Sequence, residues 1–383
     1  MDRAEKKIEQ SFADSSNSNK LYYSQTVNRL LVISASLLIV LTFFGVKAYY
    51  ALHKPISSSA YLENEQKDTA DKDTADKNTI SIQVDKGERF KNIQSKFNLQ
   101  NTYLDQIFVN LYFKISQKDK TLQAGYYEFA PNTSLIEVIN KISNGDVKVN
   151  KFQLAEGATV KNILATLKKS PNIVLTLPYN KILSAKQLAK ILKLPVNSAE
   201  GVFFPDTYYY KNGESDKDIL IKAYNNMQEK LNSAWNSKDD KIYNRYSKKY
   251  LAKPYDVLRL AAIVEKEAAD KIDREKVAGV FLLRLNKNMR LQADPTVIYS
   301  LQDKFTGDLK RQDLKYDSPY NTYVKKGLPP APISTVSLES INAVLHPNVT
   351  DKLFFVASGD GKTHLFSKNI KEHNALVKSV LLK

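Results

Sequence analysis

The sequence predicts an α+β protein with a single N-terminal transmembrane helix, a small α+β module and a larger mixed α+β domain. Three observations carry this prediction. A charge-free apolar run lies near the N-terminus, a polar low-complexity segment follows it, and strand-like and helix-like periodicities alternate from residue 80 onward. With 383 residues, the chain is long enough for two or three compact domains. It has no cysteine, which excludes disulfide scaffolds, cysteine-ligated metals and thiol catalysis.

The apolar run covers residues 30–46 without a charge and continues, beyond Lys47, to residue 52. A bilayer core requires about 20 such residues. We therefore predict an uncleaved single-pass anchor over residues 30–52 in the cell (inner) membrane, with residues 1–29 in the cytoplasm and the rest of the chain outside. A buried core helix and a signal peptide are the alternatives. Against a signal peptide, a long segment precedes the run and no small-residue cleavage site follows it.

Residues 53–79 are predicted to be a flexible linker. They contain three consecutive serines and a tandem pentapeptide, DTADK, at residues 68–72 and 73–77. Such polar sequence cannot bury enough apolar surface to offset the entropy lost on folding. The segment is more typical of a tether than of a binding motif.

Residues 80–149 are predicted to form the small α+β module. Apolar residues alternate over residues 80–84, as in a strand, and recur at helical spacing afterwards. A second strand is expected over residues 122–129, and Ser134 is a candidate cap of a further helix. On this evidence the module is either a structural spacer or a ligand-binding unit.

Residues 150–383 contain no long low-complexity gap, so we treat them as one domain. Asp256 is expected to cap a helix that begins at Val257 and is apolar nearly all round, which indicates a buried helix. Two carboxylates interrupt it. Glu265 shares a face with alanines, which leaves room for a cleft, whereas Glu267 shares a face with bulkier side chains. A carboxyl group against apolar walls has a raised pKa and can act as a general acid. The alternative is that Glu265 is only salt-bridged.

Further candidates follow that helix. Gln292 and Asp294 lie at an Asp-Pro turn or helix start, where polar side chains can point into a cleft. Residues 353–358 are predicted to form a buried strand, followed by a hairpin turn at residues 360–361 and a return strand that carries His364. A lone histidine on a strand is more often structural than catalytic.

Six motifs resemble the endolytic murein transglycosylase family, also called YceG-like, and occur in the family's order. They are EGVFFPDTY at 200–208, AAIVEKEA at 261–268, RLQADPTVIY at 290–299, SPYNTY at 318–323, GLPPAPI at 327–333 and DGKTHLF at 360–366. The anchor, linker and small module are also similar to the family's layout, in which the module is LysM-like.

The resemblance implies a membrane-anchored lyase that cuts the β-1,4 bond between MurNAc and GlcNAc in nascent peptidoglycan strands. It would leave 1,6-anhydroMurNAc ends, terminate strand elongation, require no metal or other cofactor, and work beside peptidoglycan synthases. The family's catalytic glutamate falls on Glu265. The positions expected to bind glycan are Gln292, Asp294, Asn321, His364 and Asp206, although the sequence around Asp206 is equally typical of a turn.

The chain departs from the family pattern in one loop. Ala331 stands where the family usually has a glycine, and Ser334, Thr335 and Val336 replace the usual Asn-Pro-Gly. If position 331 required a positive φ, alanine would strain the backbone there. The loop is therefore expected to differ in shape, which affects the substrate cleft and not Glu265.

Two other functions compete with the lyase. A cell-wall-binding scaffold without catalysis would be indicated by substitution of Glu265, and Glu265 is present. A nucleic-acid binder is suggested by the net charge of +16. That excess is mostly lysine and is spread along the chain, which is not typical of groove recognition, so no nucleic-acid partner is expected.

Overall fold

The structure is a computed structural model that describes residues 2–56, 79–97, 103–130, 132–268, 270–360 and 363–381. The predicted pentapeptide repeat at residues 68–77 and position 361 of the predicted hairpin turn lie outside these residues. The chain divides into two compact units, Met1–Lys148 and Val149–Lys383. Each is described separately.

The first unit begins with a long helix, α1 (Asp2–His53). Its stretch Thr26–His53 contains an 18-residue window with a mean hydropathy of 2.3 and is long and apolar enough to cross a membrane. The large apolar side chains from Val27 to Tyr50 are exposed, as expected of a helix that would face lipid, whereas Leu52 is buried in the first unit. The predicted anchor thus lies within α1, and the predicted N-terminal segment continues the same helix.

A small α+β fold follows in the order β1 (Ile80–Val84), α2 (Phe90–Ser95), α3 (Tyr103–Ser116), β2 (Gly125–Phe129) and α4 (Leu135–Asn144). The two strands pair antiparallel, with Ile80 opposite Phe129. Ser134 caps α4, as predicted, in a capping box with Glu137, and Gly145 ends the helix at a positive φ of 73°. The buried faces of both strands and all three helices form one apolar core.

The predicted linker starts later than residue 53. The Ile56 N–H donates to the Thr133 carbonyl at 2.9 Å, and the Leu135 N–H donates to the Lys54 carbonyl at 3.1 Å. Ile56 is 2% exposed and belongs to the core of the small fold, together with the end of α1. Residues 54–56 therefore belong to the module, because their backbone groups and one large apolar side chain are bonded and buried there.

The second unit begins with β3 (Val149–Gln153), which pairs antiparallel with β4 (Thr207–Lys211). Between and after these strands lie α5 (Val160–Lys168), α6 (Ala185–Ile191), α7 (Asp216–Asn236) and the short α8 (Asp240–Ile242), which runs into a π-helical turn, Tyr243–Ser247. Side-chain capping boxes begin α5, α6 and α7, which accounts for the sharp starts of these helices.

The remaining elements surround a buried helix, α9 (Pro254–Glu267). They are α10 (Lys271–Asn286), α11 (Asp294–Leu301), α12 (Leu338–Leu345), the antiparallel pair β5 (Phe354–Ala357) and β6 (His364–Ser367), and α13 (Ile370–Leu381). Helices α7, α10, α11 and α12 all pack against α9. Its apolar residues from Val257 to Val264 are fully buried, so the last turn of α9 is held rigidly.

Two expectations about this unit were wrong. Helix α9 begins at Pro254 with Lys253 as its N-cap, because proline fits the first helical position. Asp256 lies inside the first turn, where its carboxylate accepts from the Lys253 N–H at 3.1 Å and pairs with Arg259. The strand predicted to be buried, β5, is only half-buried, because β6 is its one partner in the sheet of the described residues.

Candidate active site

The last turn of α9 carries two carboxylates on different faces. Glu265 and Glu267 are two residues apart, which is about 200° around a helix. Their side chains therefore meet different neighbours, and the two environments are opposite in chemistry.

Hydrogen-bond donors surround the Glu265 carboxylate. Oε2 accepts from the Ser337 N–H at 2.9 Å and from the Ser337 hydroxyl at 2.6 Å, and Oε1 accepts from Arg274 Nη2 at 3.3 Å. The Glu265 side chain is only 4% exposed. The ion pair of the salt-bridge alternative is therefore present, and charge-assisted hydrogen bonds hold this side chain in place.

The partners of Glu265 connect two loops to α9. Ser337 is the N-cap of α12 and accepts from the Ser340 N–H. Two residues earlier, Thr335 bonds to the loop at 155–158, accepting from the Ala158 N–H and donating to the Ala155 carbonyl, both at 2.9 Å. Glu265 therefore fixes the start of α12 and, through it, the loop that departs from the family pattern.

The predicted strain at Ala331 is absent. Ala331 is buried, and it is not among the residues with positive φ in the described chain. Positions that favour glycine in this region are Gly327, with φ +84°, and Gly201, with φ +71°, where an added Cβ would lie 2.3 Å from Pro332 Cβ. Alanine at 331 is therefore compatible with the loop's backbone.

Glu267 is the last residue of α9 and is half-buried. Burial and the neighbouring carboxylate of Asp294 raise its pKa to about 8, against the opposing effect of Arg284 and the Asp294 backbone N–H. At neutral pH this carboxyl group is mostly protonated. It is the kind of group that can donate a proton to a substrate.

The basic residue near Glu267 is occupied elsewhere. The buried guanidinium of Arg284 donates from Nε to the Leu353 carbonyl at 2.7 Å and from Nη1 to the Leu291 carbonyl at 2.5 Å. Burial lowers the pKa of Arg284. Arg284 donates its hydrogen bonds to backbone carbonyls and not to Glu267. Glu265, in contrast, forms an ion pair with Arg274.

Asp294 and Tyr323 complete this side of the helix. Asp294 begins α11, as the Asp-Pro signal predicted, and its Oδ1 accepts from the Tyr323 hydroxyl at 2.6 Å. Burial and the hydrogen bond to Asp294 raise the pKa of Tyr323, so the phenol remains a donor. The Asp294 side chain is exposed, and its anion is thus available beside the protonated Glu267.

Gln292 lies at the turn that positions Asp294. Its φ is +50°, unusual for a residue other than glycine, and its side chain is exposed. The turn is fixed by the Gln292 N–H to the Thr322 carbonyl at 3.2 Å and by the Ala293 N–H to the Thr322 hydroxyl at 3.0 Å. The structure thus brings Gln292, Asp294 and Tyr323 together near Glu267.

Asn321 and His364 have partners inside the protein. The buried Asn321 amide donates to the carbonyls of Leu314 and Tyr316, and its oxygen accepts from the Tyr323 N–H. His364 Nδ1 lies 3.1 Å from Asp273 Oδ2. Asn321 therefore shapes the loop that presents Tyr323. His364 ties β6 to α10, beside the Arg274 that pairs with Glu265.

Asp206 lies at the start of β4. Its carboxylate accepts from the Thr207 N–H at 2.7 Å and from Asn226 at 3.4 Å, and its carbonyl accepts from the Leu154 N–H. These contacts are those of a turn residue, the alternative that the sequence left open.

Sequence reasoning missed two carboxylates. Buried Glu200 accepts from the Val160 N–H at 2.7 Å and from the Tyr299 hydroxyl at 2.9 Å, and burial raises its pKa to about 7. Glu156 is exposed, and its pKa is raised by partial desolvation and by Glu265. Glu200 opens the EGVFFPDTY motif, so a buried polar residue could have been suspected there. Among the described residues, no group of three or more His, Asp or Glu side chains is placed to hold a metal ion.

Comparison with known proteins identifies the family to which this chain belongs. The profile of the YceG-like family matches residues 82–379, which is most of the chain. The chain therefore belongs to the YceG-like family.

Particular relatives are named endolytic murein transglycosylase. One from Bacillus subtilis (strain 168) is 32% identical over 314 residues, 77% of this chain and 83% of that protein. One from Streptococcus pneumoniae serotype 2 is 26% identical over 284 residues, 66% of this chain, and the match spans half of the pneumococcal protein. A yceG-like protein from Listeria monocytogenes, a solved structure, aligns with a TM-score of 0.48 and 28% identity, covering 78% of this chain and 99% of that one.

Proposed function

We propose that this chain cleaves peptidoglycan glycan strands within their length and that Glu267 supplies the proton. The chain is an endolytic murein transglycosylase, a lytic transglycosylase and thus a lyase. Family membership over residues 82–379 and the shared name of the relatives support the activity. The observation that carries the choice of acid is the pKa of Glu267, raised to about 8 by burial and by Asp294.

One carboxyl group is sufficient for this reaction. Protonated Glu267 donates its proton to the glycosidic oxygen as the bond to C1 of MurNAc breaks, and GlcNAc leaves with a free 4-hydroxyl. The resulting Glu267 carboxylate accepts the proton of the C6 hydroxyl of the same MurNAc while O6 bonds to C1. The product carries a 1,6-anhydro end, no water is consumed, and Glu267 is protonated again. Attack within one sugar has a high effective molarity, so no activated external nucleophile is required.

Asp294 has two roles in this proposal. Its anion raises the pKa of Glu267, which keeps the acid protonated before the reaction. The same anion is exposed beside the acid, where it can stabilise the positive charge that develops at C1. The Tyr323 hydroxyl, 2.6 Å from Asp294 Oδ1, orients the carboxylate.

The resemblance assigned the acid to Glu265, and that assignment stays a prediction. The hydrogen bonds favour Glu267, because the Glu265 oxygens accept from Ser337 and Arg274. Glu265 would then act on the reaction only by holding Ser337 and the loop before it. Asn321 and His364 would likewise position neighbouring segments, while exposed Gln292 remains a candidate for glycan contact.

The remaining parts of the proposal concern location and partners. The stretch Thr26–His53 would anchor the chain in the cell (inner) membrane, with the N-terminus in the cytoplasm, contacts to membrane lipid and the second unit outside. The β1–α2–α3–β2 order supports a LysM-like, glycan-associated module over residues 80–149 ahead of a catalytic domain over residues 150–383. The expected partners are nascent glycan strands and the synthases that extend them.

Mass spectrometry of purified, uncross-linked glycan strands tests the reaction. The full chain in detergent should produce internal fragments that end in 1,6-anhydroMurNAc, and Glu267→Gln should produce none. Reducing ends would show a hydrolase that activates water, with Asp294 as its second carboxylate. Strand binding without cleavage by the folded wild-type chain would support a scaffold.

A further inference from the structure

Helix α3 carries large apolar side chains on two opposite faces. On one face Val109 and Phe113 are buried in the core of the first unit. The other face is exposed, and its members recur at i, i+3, i+7 and i+11: Leu104 (51% exposed), Ile107 (43%), Leu111 (50%) and Ile115 (73%). Such a continuous apolar row marks an interaction surface, because single exposed apolar residues are normal and rows of them are not.

This row continues the apolar surface of α1. The rings of Phe44 on α1 and Phe108 on α3 lie 5.9 Å apart, and the two helices are in contact. Phe44 lies two residues before the end of the charge-free run at residues 30–46. Beyond it, Lys54 pairs with Asp105 at 3.6 Å, at the polar end of both helices. Helix α3 therefore lies at the level where the apolar stretch of α1 ends.

We propose that α3 lies in the outer interface of the membrane, with the row from Leu104 to Ile115 against lipid. The small module would then be held at the membrane surface by α3 in addition to α1. This inference rests on the proposal that α1 anchors the chain in a membrane.

Three features favour lipid as the occupant. The row is continuous, through Phe108, with the exposed apolar side chains of α1, which face lipid in any membrane-spanning arrangement. A cleft of about 500 Å³ at the end of α1, to which α3 contributes Asp105, begins at apolar Phe43 and Val46 and is polar from Lys47 to Lys54, an order that matches acyl chains below headgroups. Lys114 follows Leu111 by three residues and lies at the edge of the row, where its long side chain can carry the ammonium group to the lipid headgroups.

The absence of native cysteine makes the test direct. Single cysteines would replace Leu111 in the row, Gln106 as an exposed control about 140° away on the same helix, and Leu38 in the anchor. Each full chain is spin-labelled and placed in nanodiscs of phosphatidylethanolamine and phosphatidylglycerol. Collision rates with oxygen, which concentrates in lipid, and with a water-soluble nickel chelate are then compared. The ratio of oxygen to nickel collisions should be severalfold higher at 111 than at 106, and highest at 38.

The outcomes separate the two proposals. A lipid-like ratio at 38 with an aqueous ratio at 111 overturns the docking of α3 and leaves the anchor intact. An aqueous ratio at 38 overturns the anchor itself. A label at 111 that is shielded from both reagents, and becomes accessible when the chain is diluted to one copy per nanodisc, shows a second copy on this face and also overturns lipid docking.

Discussion

Glu265 and Glu267 lie on the same turn of α9 but in two different environments. Glu265 is enclosed by an arginine, a hydroxyl and a backbone N–H that all donate to it. Glu267 lies beside a second carboxylate, and its nearby arginine is bonded to backbone carbonyls. Both are shielded from water to a large extent, so burial alone does not distinguish them. The difference shows that the charges and hydrogen-bond donors around a carboxyl group decide its role. Such a group can anchor a loop as a hydrogen-bond acceptor, or it can stay protonated near neutral pH.

The largest expected effect is that of Glu267→Gln on cleavage. Loss of a general acid typically costs about 10²- to 10⁴-fold in rate, and the amide cannot supply a proton. We expect kcat/KM for uncross-linked strands to fall by that factor with strand binding retained. The variant should be at least as stable as the wild type above pH 8. Between about pH 4.5 and 8 the Glu267 carboxyl group is ionised in the unfolded chain and protonated in the native state, so the stability of the wild type falls as the pH rises through this range. Normal cleavage by this variant would show that another group is the acid.

Glu265→Gln should act mainly on stability. Replacing a carboxylate that accepts from Arg274 and twice from Ser337 weakens hydrogen bonds to a charged group, which cost about 1.5–3 kcal/mol each. We expect a lower midpoint in urea denaturation, and cleavage that falls far less than in Glu267→Gln once the folded fraction is taken into account. A matched control is Arg274→Lys, which keeps the charge and loses the forked donor. A fully stable but inactive Glu265→Gln would restore Glu265 as the acid.

Asp294→Asn should change the pH profile as well as the rate. In the wild type, kcat/KM should fall on the alkaline side near pH 8, as Glu267 loses its proton. Removing the neighbouring negative charge lowers the pKa of Glu267, so the alkaline fall should move to lower pH. The profile is measured from pH 5 to 10 with saturating and limiting strands. If the alkaline fall of kcat/KM stays at the same pH in Asp294→Asn, Asp294 does not control the pKa of the acid.

Tyr323→Phe should have the smallest effect. The substitution removes the hydroxyl that donates to Asp294 at 2.6 Å and keeps the ring. Because the Asp294 carboxylate is exposed, water can replace the lost hydroxyl, so the net loss should be only about 0.5–1.5 kcal/mol and cleavage should slow by about 2- to 12-fold. The double variant with Asp294→Asn should be no slower than Asp294→Asn alone, since the hydroxyl acts through that carboxylate. Additive losses would contradict this dependence.

Elements with strong apolar periodicity were predictable from the sequence. The strand expected at residues 80–84 is confirmed as Ile80–Val84, and the cap expected at Ser134 begins the helix Leu135–Asn144, because apolar alternation and a capping box mark these elements locally. The start of α9 was missed because Asp256 has cap chemistry and Pro254 was not taken as the first helical residue. Local signals fix a helix more firmly than they fix its first turn.

The site was harder to predict than the helix that carries it. Helical spacing predicts different faces for Glu265 and Glu267, with space for a cleft beside the alanines that share the face of Glu265. That space is filled by Arg274 from α10 and by Ser337 at the start of α12, which lie far away in sequence. The carboxylate opposite Glu267 comes from α11. Tertiary packing, which the sequence does not show, therefore places Arg274 beside Glu265 and Asp294 beside Glu267.

The protonation of Glu267 can be measured directly by infrared difference titration of the full chain. The account predicts a protonated carboxyl band in the wild type that disappears as the pH rises through about 8. The band that is lost near pH 8 should persist in Glu265→Gln and be absent from Glu267→Gln, in which the protonated band of buried Glu200, lost near pH 7, remains. A wild-type chain with no such band at pH 7, or a band that is lost in Glu265→Gln and kept in Glu267→Gln, would contradict it.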